Sequence, residues 1–156
     1  MARIVLLGCA GSGKSTLARR YAARTGAALI CLDAIWTPGA DVTEFRETLR
    51  RMHVGDAWIS DGNFAAVSFD IRLPRATMIV WLDRPRWSCA WRATIRALTP
   101  GTDHALRDLP KVLRFIEGFE RINRPLIEAE TRAHGGAVPV VRLTTDGEIN
   151  DFLARF

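Results

Sequence analysis

The chain has 156 residues, 48% of them hydrophobic and 25% charged, with a formal net charge of +5. This length favours a single domain over residues 1–156 with a sizeable hydrophobic core. A membrane partner is not expected, because no apolar run reaches the roughly 18 residues of a transmembrane helix and the N-terminal residues do not resemble a signal peptide.

The positive charge is carried almost entirely by arginine. It suits polyanionic ligands such as nucleotides or nucleic acids, and codon usage in a GC-rich genome explains it equally well. The three cysteines, Cys9, Cys31 and Cys89, are far apart and form no C-x-x-C pair. They indicate neither a disulfide framework nor a zinc site, so we expect a reducing, cytoplasmic location.

Short apolar runs alternate with helical patterns along the chain, which predicts an α/β fold with a central parallel sheet. The predicted strands cover residues 3–7, 28–32, 58–60, 78–82 and 138–143. The predicted helices cover about residues 14–24, 43–53, 86–98, 108–133 and 146–155. Because proline disrupts a helix interior, we expect two helices or a kink at Pro125. Gly26 and Gly55 are predicted helix C-caps.

Residues 8–15 read Gly-Cys-Ala-Gly-Ser-Gly-Lys-Ser, the G-x-x-x-x-G-K-[ST] pattern of a phosphate-binding loop (P-loop). The motif stands between the first predicted strand and the first predicted helix, as such loops do. Its glycines let successive backbone amides point into one concavity. Lys14 is predicted to reach the terminal phosphates and Ser15 to bind Mg²⁺. The predicted phosphate-binding residues are Gly8, Gly11, Ser12, Gly13, Lys14, Ser15 and Thr16. The alternative is a Gly/Ser-rich turn that binds nothing.

Three aspartates stand at the carboxyl ends of predicted strands, where ligands of parallel α/β sheets bind. Asp61 and Asp83 are alternative Mg²⁺ ligands, directly or through water, since Mg²⁺ takes only one or two carboxylates. The glycine after Asp61 favours Asp61 as the metal ligand, whereas the Arg-Pro-Arg after Asp83 favours an ion pair or a helix N-cap there. Asp33 is the candidate for orienting an acceptor or accepting its hydroxyl proton, and its alternative role is to cap a turn.

Arginines from different segments are candidates for stabilising the charge that develops during phosphoryl transfer. Arg92 and Arg96 are four residues apart on a predicted helix and therefore share a face. Arg121 lies near the predicted helix break at Pro125. For each of these arginines, the alternative is a solvated surface charge.

Several segments resemble the adenylate-kinase-like P-loop proteins known as DNA topology modulation proteins of the FlaR-related type. The resemblance covers nearly the whole chain. It rests on residues 8–15, 32–39 (Leu-Asp-Ala-Ile-Trp-Thr-Pro-Gly), 58–64 (Trp-Ile-Ser-Asp-Gly-Asn-Phe), 81–86 (Trp-Leu-Asp-Arg-Pro-Arg) and 119–125. The second and third segments together are the most specific, since many unrelated NTPases share the P-loop.

The resemblance implies a nucleoside-monophosphate-kinase-like fold with five parallel strands in the order 2-3-1-4-5, flanked by helices, and a short lid at about residues 97–109. It also implies that Asp61 lies near Mg²⁺, that Arg92 and Arg96 begin the lid, and that Arg121 lies where the chain returns from it. The Asp-Gly-Phe-Pro-Arg sequence of adenylate kinases is absent, so AMP is not singled out as the acceptor.

Together these features predict a Mg²⁺-dependent kinase that transfers the γ-phosphoryl of ATP to a small molecule or a nucleotide. The predicted catalytic residues are Lys14, Asp33, Arg92, Arg96 and Arg121. The acceptor is expected beside residues 34–55. One alternative is a nucleic-acid-associated ATPase that regulates DNA topology, and another is a nucleotide-binding module without turnover. Neither the acceptor nor the oligomeric state follows from these residues.

Overall fold

The computed structural model describes residues 2–37, 39–99 and 106–156. Its strands are β1 (Arg3–Gly8), β2 (Ala28–Cys31), β3 (Trp58–Asp61), β4 (Met78–Leu82) and β5 (Val140–Leu143). Within the described ranges they form one sheet in the order β2-β3-β1-β4-β5, and every neighbouring pair is parallel. This confirms the expected α/β class, strand order and strand direction.

Helices connect the strands and cover both faces of the sheet. They are α1 (Lys14–Thr25), α2 (Leu32–Ile35), α3 (Val42–Met52), α4 (Ala65–Arg72), α5 (Arg86–Leu98), α6 (Leu109–Gly118), α7 (Arg124–His134) and α8 (Asp146–Ala154). Short 3₁₀ turns cover Leu73–Arg75 and Leu106–Asp108, and a π-helical turn covers Phe119–Asn123. No helix in the described part of the chain is long and apolar enough to cross a membrane.

The core has two hydrophobic clusters, one on each face of the sheet, because successive side chains of a strand point to opposite faces. Ile4 and Leu6 of β1 pack with α1 and α8. Val5 and Leu7 of β1 belong to the other cluster, which contains residues of α3, α4, α5, α6 and α7. Burial on both faces explains why these parallel strands are continuous apolar runs.

The register of the central strands brings the predicted site residues to one edge of the sheet. Leu6 of β1 pairs with Asp61 at the end of β3, and Gly8 pairs with Leu82 at the end of β4. Asp61 and Asp83 therefore lie on either side of the point where β1 leads into the P-loop.

The structure confirms some local predictions and corrects others. The break expected at Pro125 is confirmed. A π-helical turn separates α6 from α7, and α7 begins at Arg124, one residue before Pro125. Gly26 is a C-cap in the left-handed conformation, with φ 71°. The cap predicted at Gly55 is wrong, because α3 ends at Met52 with His53 as its C-cap.

Helix α4 was not predicted. Its buried positions include Ser68 and Arg72 beside Ala65 and Phe69, so its inward face does not give an apolar pattern of helical period. Residues 100–105 of the expected lid lie outside the described residues. The prediction of one domain over residues 1–156 stays a prediction.

Candidate nucleotide-binding and active site

The P-loop between β1 and α1 depends on glycines in the left-handed region. Gly11 has φ 76° and Gly13 has φ 100°, which residues with side chains rarely adopt. A Cβ at Gly11 would also lie closer than 3.0 Å to the carbonyl oxygen of Cys89. Helix α5 thus packs directly on the loop, and Cys9 of the loop and Cys89 of α5 belong to the same buried cluster.

The first turn of α1 is suited to an anion. Its N-cap is Gly13, which has no side chain that could cap the helix, and the described first turn contains no acidic residue. The amides that begin a helix have no partner within it, and the helix dipole adds partial positive charge there. Since Gly13, Lys14, Ser15 and Thr16 line a cavity, these amides are placed to bind phosphate.

Lys14 lies across the P-loop. Its Nζ donates hydrogen bonds to the carbonyl oxygens of Gly8 at 2.9 Å and Cys9 at 2.8 Å. Burial lowers the pKa of Lys14, and the negative charges of Asp61 and Asp33 act in the opposite direction. The two carboxylates thus favour the ammonium form that a phosphate ligand needs.

Asn63 ties the turn after β3 to the P-loop. Its Oδ1 accepts from the backbone N–H of Gly8 at 3.2 Å, and its Nδ2 donates to the carbonyl oxygen of Gly8 at 2.9 Å. The next residue, Phe64, has φ 40°, an uncommon value for a residue with a side chain. The turn therefore contains one unfavourable backbone conformation, at Phe64. The amide side chain of Asn63 fixes the position of Gly8, where the P-loop begins.

A fully buried arginine, Arg72, donates hydrogen bonds to the backbone of this turn. Arg72 has 0% exposure, and its Nη2 donates to the carbonyl oxygens of Gly62 at 2.9 Å and Asn63 at 2.6 Å. Its Nη1 donates to Ser60 Oγ at 3.2 Å. Burial lowers the pKa of Arg72 to about 9, opposed by the charge of Asp61, so the guanidinium is held at an electrostatic cost.

His53 completes the buried network. Its Nδ1 lies 2.7 Å from the carbonyl oxygen of Leu49, which can only accept, so Nδ1 carries the proton. Its Nε2 therefore accepts from Ser60 Oγ at 3.0 Å. Burial lowers the pKa of His53 to about 4, aided by the charges of Arg72 and Arg75. The chain of bonds from α3 to the P-loop thus contains a neutral histidine.

The other side of the P-loop is held by Arg84. Its Nε donates to the carbonyl oxygen of Ser12 at 2.9 Å, and its Nη2 pairs with Asp146 at 2.5 Å. Arg92 also pairs with Asp146, at 2.6 Å. The start of α8 is therefore linked to both the P-loop and α5.

The two candidate metal ligands have different surroundings. Asp83 forms ion pairs with Arg124 and Arg142. Asp61 is 2% exposed, and its Oδ1 has no hydrogen-bond partner within the residues that the structure describes. A buried carboxylate oxygen without a donor is suited to a cation, so the surroundings of Asp61 fit Mg²⁺ and those of Asp83 do not.

A cavity of about 640 Å³ lies in front of the P-loop. Among the described residues, its lining comprises Ala10, Gly11, Gly13, Lys14, Ser15, Thr16, Arg19, Asp33, Gly62, Asn63, Phe64, Arg96, Val112, Phe115 and Asn123. The lining combines a phosphate-binding loop, one carboxylate and an apolar wall that includes Phe64 and Phe115. Trp36, from the segment predicted to bind the acceptor, packs on Phe45 and Phe64 with ring centroids 5.1 and 6.1 Å away.

The cavity contains some of the predicted catalytic residues. Lys14, Asp33 and Arg96 line it. Arg92 lies outside this lining, in its ion pair with Asp146, and Arg121 lies outside it on the exposed side of the π-helical turn. The catalytic roles of all five residues stay predictions.

The supporting roles of Arg72, Arg84 and Asn63 were not predicted. An arginine on an unrecognised helix gives no sign that it is buried, and the bond from Asn63 to Gly8 spans 55 residues. A usable signal was the sequence Asp-Gly-Asn directly after a short buried strand, which predicts a tight turn at the edge of the sheet.

The fold matches that of a solved kinase. The structure of shikimate kinase from Acinetobacter baumannii in complex with shikimate aligns with a TM-score of 0.61, covering 99% of this chain and 90% of that chain at 20% identity. No protein-family model and no curated protein matches the chain in sequence. The structural match shows that the chain has a P-loop fold of the nucleoside-monophosphate-kinase-like class. Membership of the DNA topology modulation family stays a prediction.

Proposed function

We propose that this protein is a phosphotransferase that moves the γ-phosphoryl group of ATP to a hydroxyl of a small molecule. One observation carries the proposal: a formed P-loop and a carboxylate, Asp33, line the same cavity of about 640 Å³. Such a cavity has the size of a small-molecule site. A donor's phosphates at the P-loop and an acceptor's hydroxyl at Asp33 would lie side by side in it, which is the arrangement that phosphoryl transfer requires.

The residues of the chain divide the work as follows. The amides at the start of α1 and the ammonium of Lys14 bind the donor's phosphates. Asp33 orients the acceptor and accepts the proton of its hydroxyl group. Arg96 stabilises the negative charge on the transferring group. Arg92 and Arg121 contribute only if a closing movement carries them to the cavity.

Mg²⁺ is proposed to bind to the hydroxyl of Ser15, which lines the cavity, and to the carboxylate of Asp61, which lies outside the lining, one residue before Gly62, and acts directly or through water. When bound, the ion neutralises negative charge on the donor's phosphates. For the acceptor we propose only a chemical class, small molecules with a hydroxyl group. The shikimate in the structural neighbour makes a cyclic hydroxy acid one compound to test, beside sugars and nucleoside monophosphates. The cysteines are free, which fits the cytoplasmic location that we propose.

The test measures ADP release from Mg-ATP in the presence of each acceptor class. Lys14 and Lys111 are the only lysines in the sequence, so Lys111→Met is a matched control for Lys14→Met. We expect Lys14→Met to lower the rate about 100-fold or more, the loss typical of a removed charge-stabilising group, and Lys111→Met to leave it unchanged.

The same samples are tested for binding by calorimetry and by thermal melting. Mg-ATP is expected to raise the melting temperature of the wild type and of Lys111→Met. If neither Mg-ATP nor Mg-GTP gives heat or stabilisation, the proposal fails. Binding without turnover for any acceptor would favour the nucleotide-binding module, and turnover stimulated by DNA alone would favour the nucleic-acid-associated ATPase.

A further inference from the structure

Helix α5 exposes a line of large apolar side chains. Trp87 is 75% exposed, Trp91 63%, Ile95 45% and Leu98 60%. Their spacing of four, four and three residues puts them on one face of the helix. The buried residue Cys89 lies on the face that packs against the core. We call the four exposed side chains the α5 stripe.

The area of the α5 stripe is large for a monomer. An aromatic side chain presents roughly 150–250 Å², so the two tryptophans alone expose on the order of 300 Å². With Ile95 and Leu98 the exposed apolar area is about 450 Å², within the range of about 300–600 Å² that marks the largest, usually functional, patches on monomers. Isolated exposed apolar residues need no explanation, but a contiguous line of four does.

The charges of α5 point away from the stripe. Arg92 pairs with Asp146, Arg96 lines the cavity, and Arg86 donates to the carbonyl oxygen of Glu117 at 3.4 Å. The stripe itself contains no charged residue. Attraction to an acidic partner or an anionic lipid surface requires cations beside the apolar face, so this face is built for an apolar partner.

The segment that follows α5 in the sequence lacks the large apolar residues that would match the α5 stripe. Residues 100–105 read Pro-Gly-Thr-Asp-His-Ala and contain no large apolar side chain. An uncharged apolar line of this kind is complementary to itself, and twofold homodimers, in which the same patch meets its copy, are the commonest symmetric assemblies.

We propose that the α5 stripe is a homodimer interface in which two α5 helices pack antiparallel about a twofold axis. Trp87 of one copy then meets Leu98 of the other, and Trp91 meets Ile95. A stable interface buries about 800 Å² per copy, of which about 65% is apolar in homodimers. That apolar share is about 520 Å², and the α5 stripe supplies most of it. Because α5 also packs on Gly11 of the P-loop, the dimer joins two copies through the helix that supports their nucleotide sites.

Sedimentation equilibrium of the full chain between about 1 and 100 µM tests the proposal. We expect the wild type to have twice the chain mass of 17.4 kDa. The double variant Trp87→Ser/Trp91→Ser is expected to be monomeric over the same range, a loss of at least about 100-fold in affinity. Val54→Ser removes an apolar side chain that is also 75% exposed but lies on another surface, so it stays dimeric.

Tryptophan fluorescence of the wild type gives a second test that needs no substitution. Trp58 and Trp81 are 0% and 2% exposed. Trp36 is partly buried and packs on Phe45 and Phe64, away from α5, so its quenching is not expected to depend on dilution. A change in acrylamide quenching on dilution therefore reports on Trp87 and Trp91. Quenching is expected to rise as the dimer dissociates. A wild type that is monomeric throughout, a double variant that dimerises as tightly as the wild type, or a monomer that binds phosphatidylserine vesicles through Trp87 and Trp91 would each overturn the proposal.

Discussion

The packing of α5 on the P-loop can be tested by adding one methyl group. In Gly11→Ala the new Cβ meets the Cys89 carbonyl at less than 3.0 Å and sits on a backbone with φ 76°. Gly26→Ala is a matched control, because φ is 71° there and nothing lies within 4 Å of the added Cβ. The two variants share the conformational strain, and only Gly11→Ala has the collision.

The expected magnitudes follow from that difference. The left-handed conformation costs an alanine about 1–2 kcal/mol, so Gly26→Ala should lower the free energy of unfolding by that amount. The collision at Gly11 involves backbone on both sides and adds the roughly 1–3 kcal/mol of an overpacked site. Gly11→Ala should therefore lose about 2–5 kcal/mol in total, and its melting temperature should fall by about 2–4 °C for each kcal/mol.

Urea denaturation gives the free energies, and melting with and without Mg-ATP gives the ligand response. We expect Gly26→Ala to keep the stabilisation by Mg-ATP, since it lies at the far end of α1, and Gly11→Ala to lose most of it. Equal losses of unfolding free energy in the two variants would refute the contact between α5 and the P-loop.

Two further predictions concern the buried network behind the turn after β3. Burial lowers the pKa of His53 to about 4 in the folded protein, whereas the same histidine in the unfolded chain has a pKa near 6.5. Between these values the unfolded chain binds more protons than the folded one. The free energy of unfolding should therefore fall as the pH drops from about 6.5 to 4, by up to about 3 kcal/mol. His53→Gln should remove this slope in urea denaturation at several pH values, His134→Gln should keep it, and an unchanged slope in His53→Gln would contradict the argument. Arg72→Met leaves two buried carbonyl oxygens and Ser60 Oγ without their donor, so we expect a loss of roughly 3 kcal/mol in unfolding free energy and at least about tenfold weaker Mg-ATP binding by calorimetry. Arg75→Met removes a bond to one carbonyl oxygen and should bind Mg-ATP normally. Normal Mg-ATP binding by Arg72→Met would contradict the idea that the buried network supports the nucleotide site.

The sequence predicted the parts of the molecule that depend on local pattern. The strands of the sheet are apolar on both faces, and the P-loop is a contiguous motif whose conformation its own glycines allow. The sequence did not predict α4, because the position that a core residue would take is occupied by Arg72, whose hydrogen bonds are made to residues 60–63. It also did not predict the clamp between Asn63 and Gly8, because that contact exists only once β1 and β3 pair in register.

The choice between Asp61 and Asp83 shows why topology alone leaves this site open. Asp61 is the last residue of β3 and Asp83 directly follows β4. Both strands flank β1, so the order of the sheet places the two residues equivalently. The difference comes from cations on distant elements: α7 and β5 bring Arg124 and Arg142 to Asp83. The cations near Asp61 are Lys14 and Arg72, which donate hydrogen bonds to carbonyl oxygens and to the Ser60 hydroxyl. Among the residues that the structure describes, no hydrogen bond reaches Asp61 Oδ1. That oxygen is available to a cation or its bound water, which supports the proposal that Mg²⁺ binds at Asp61.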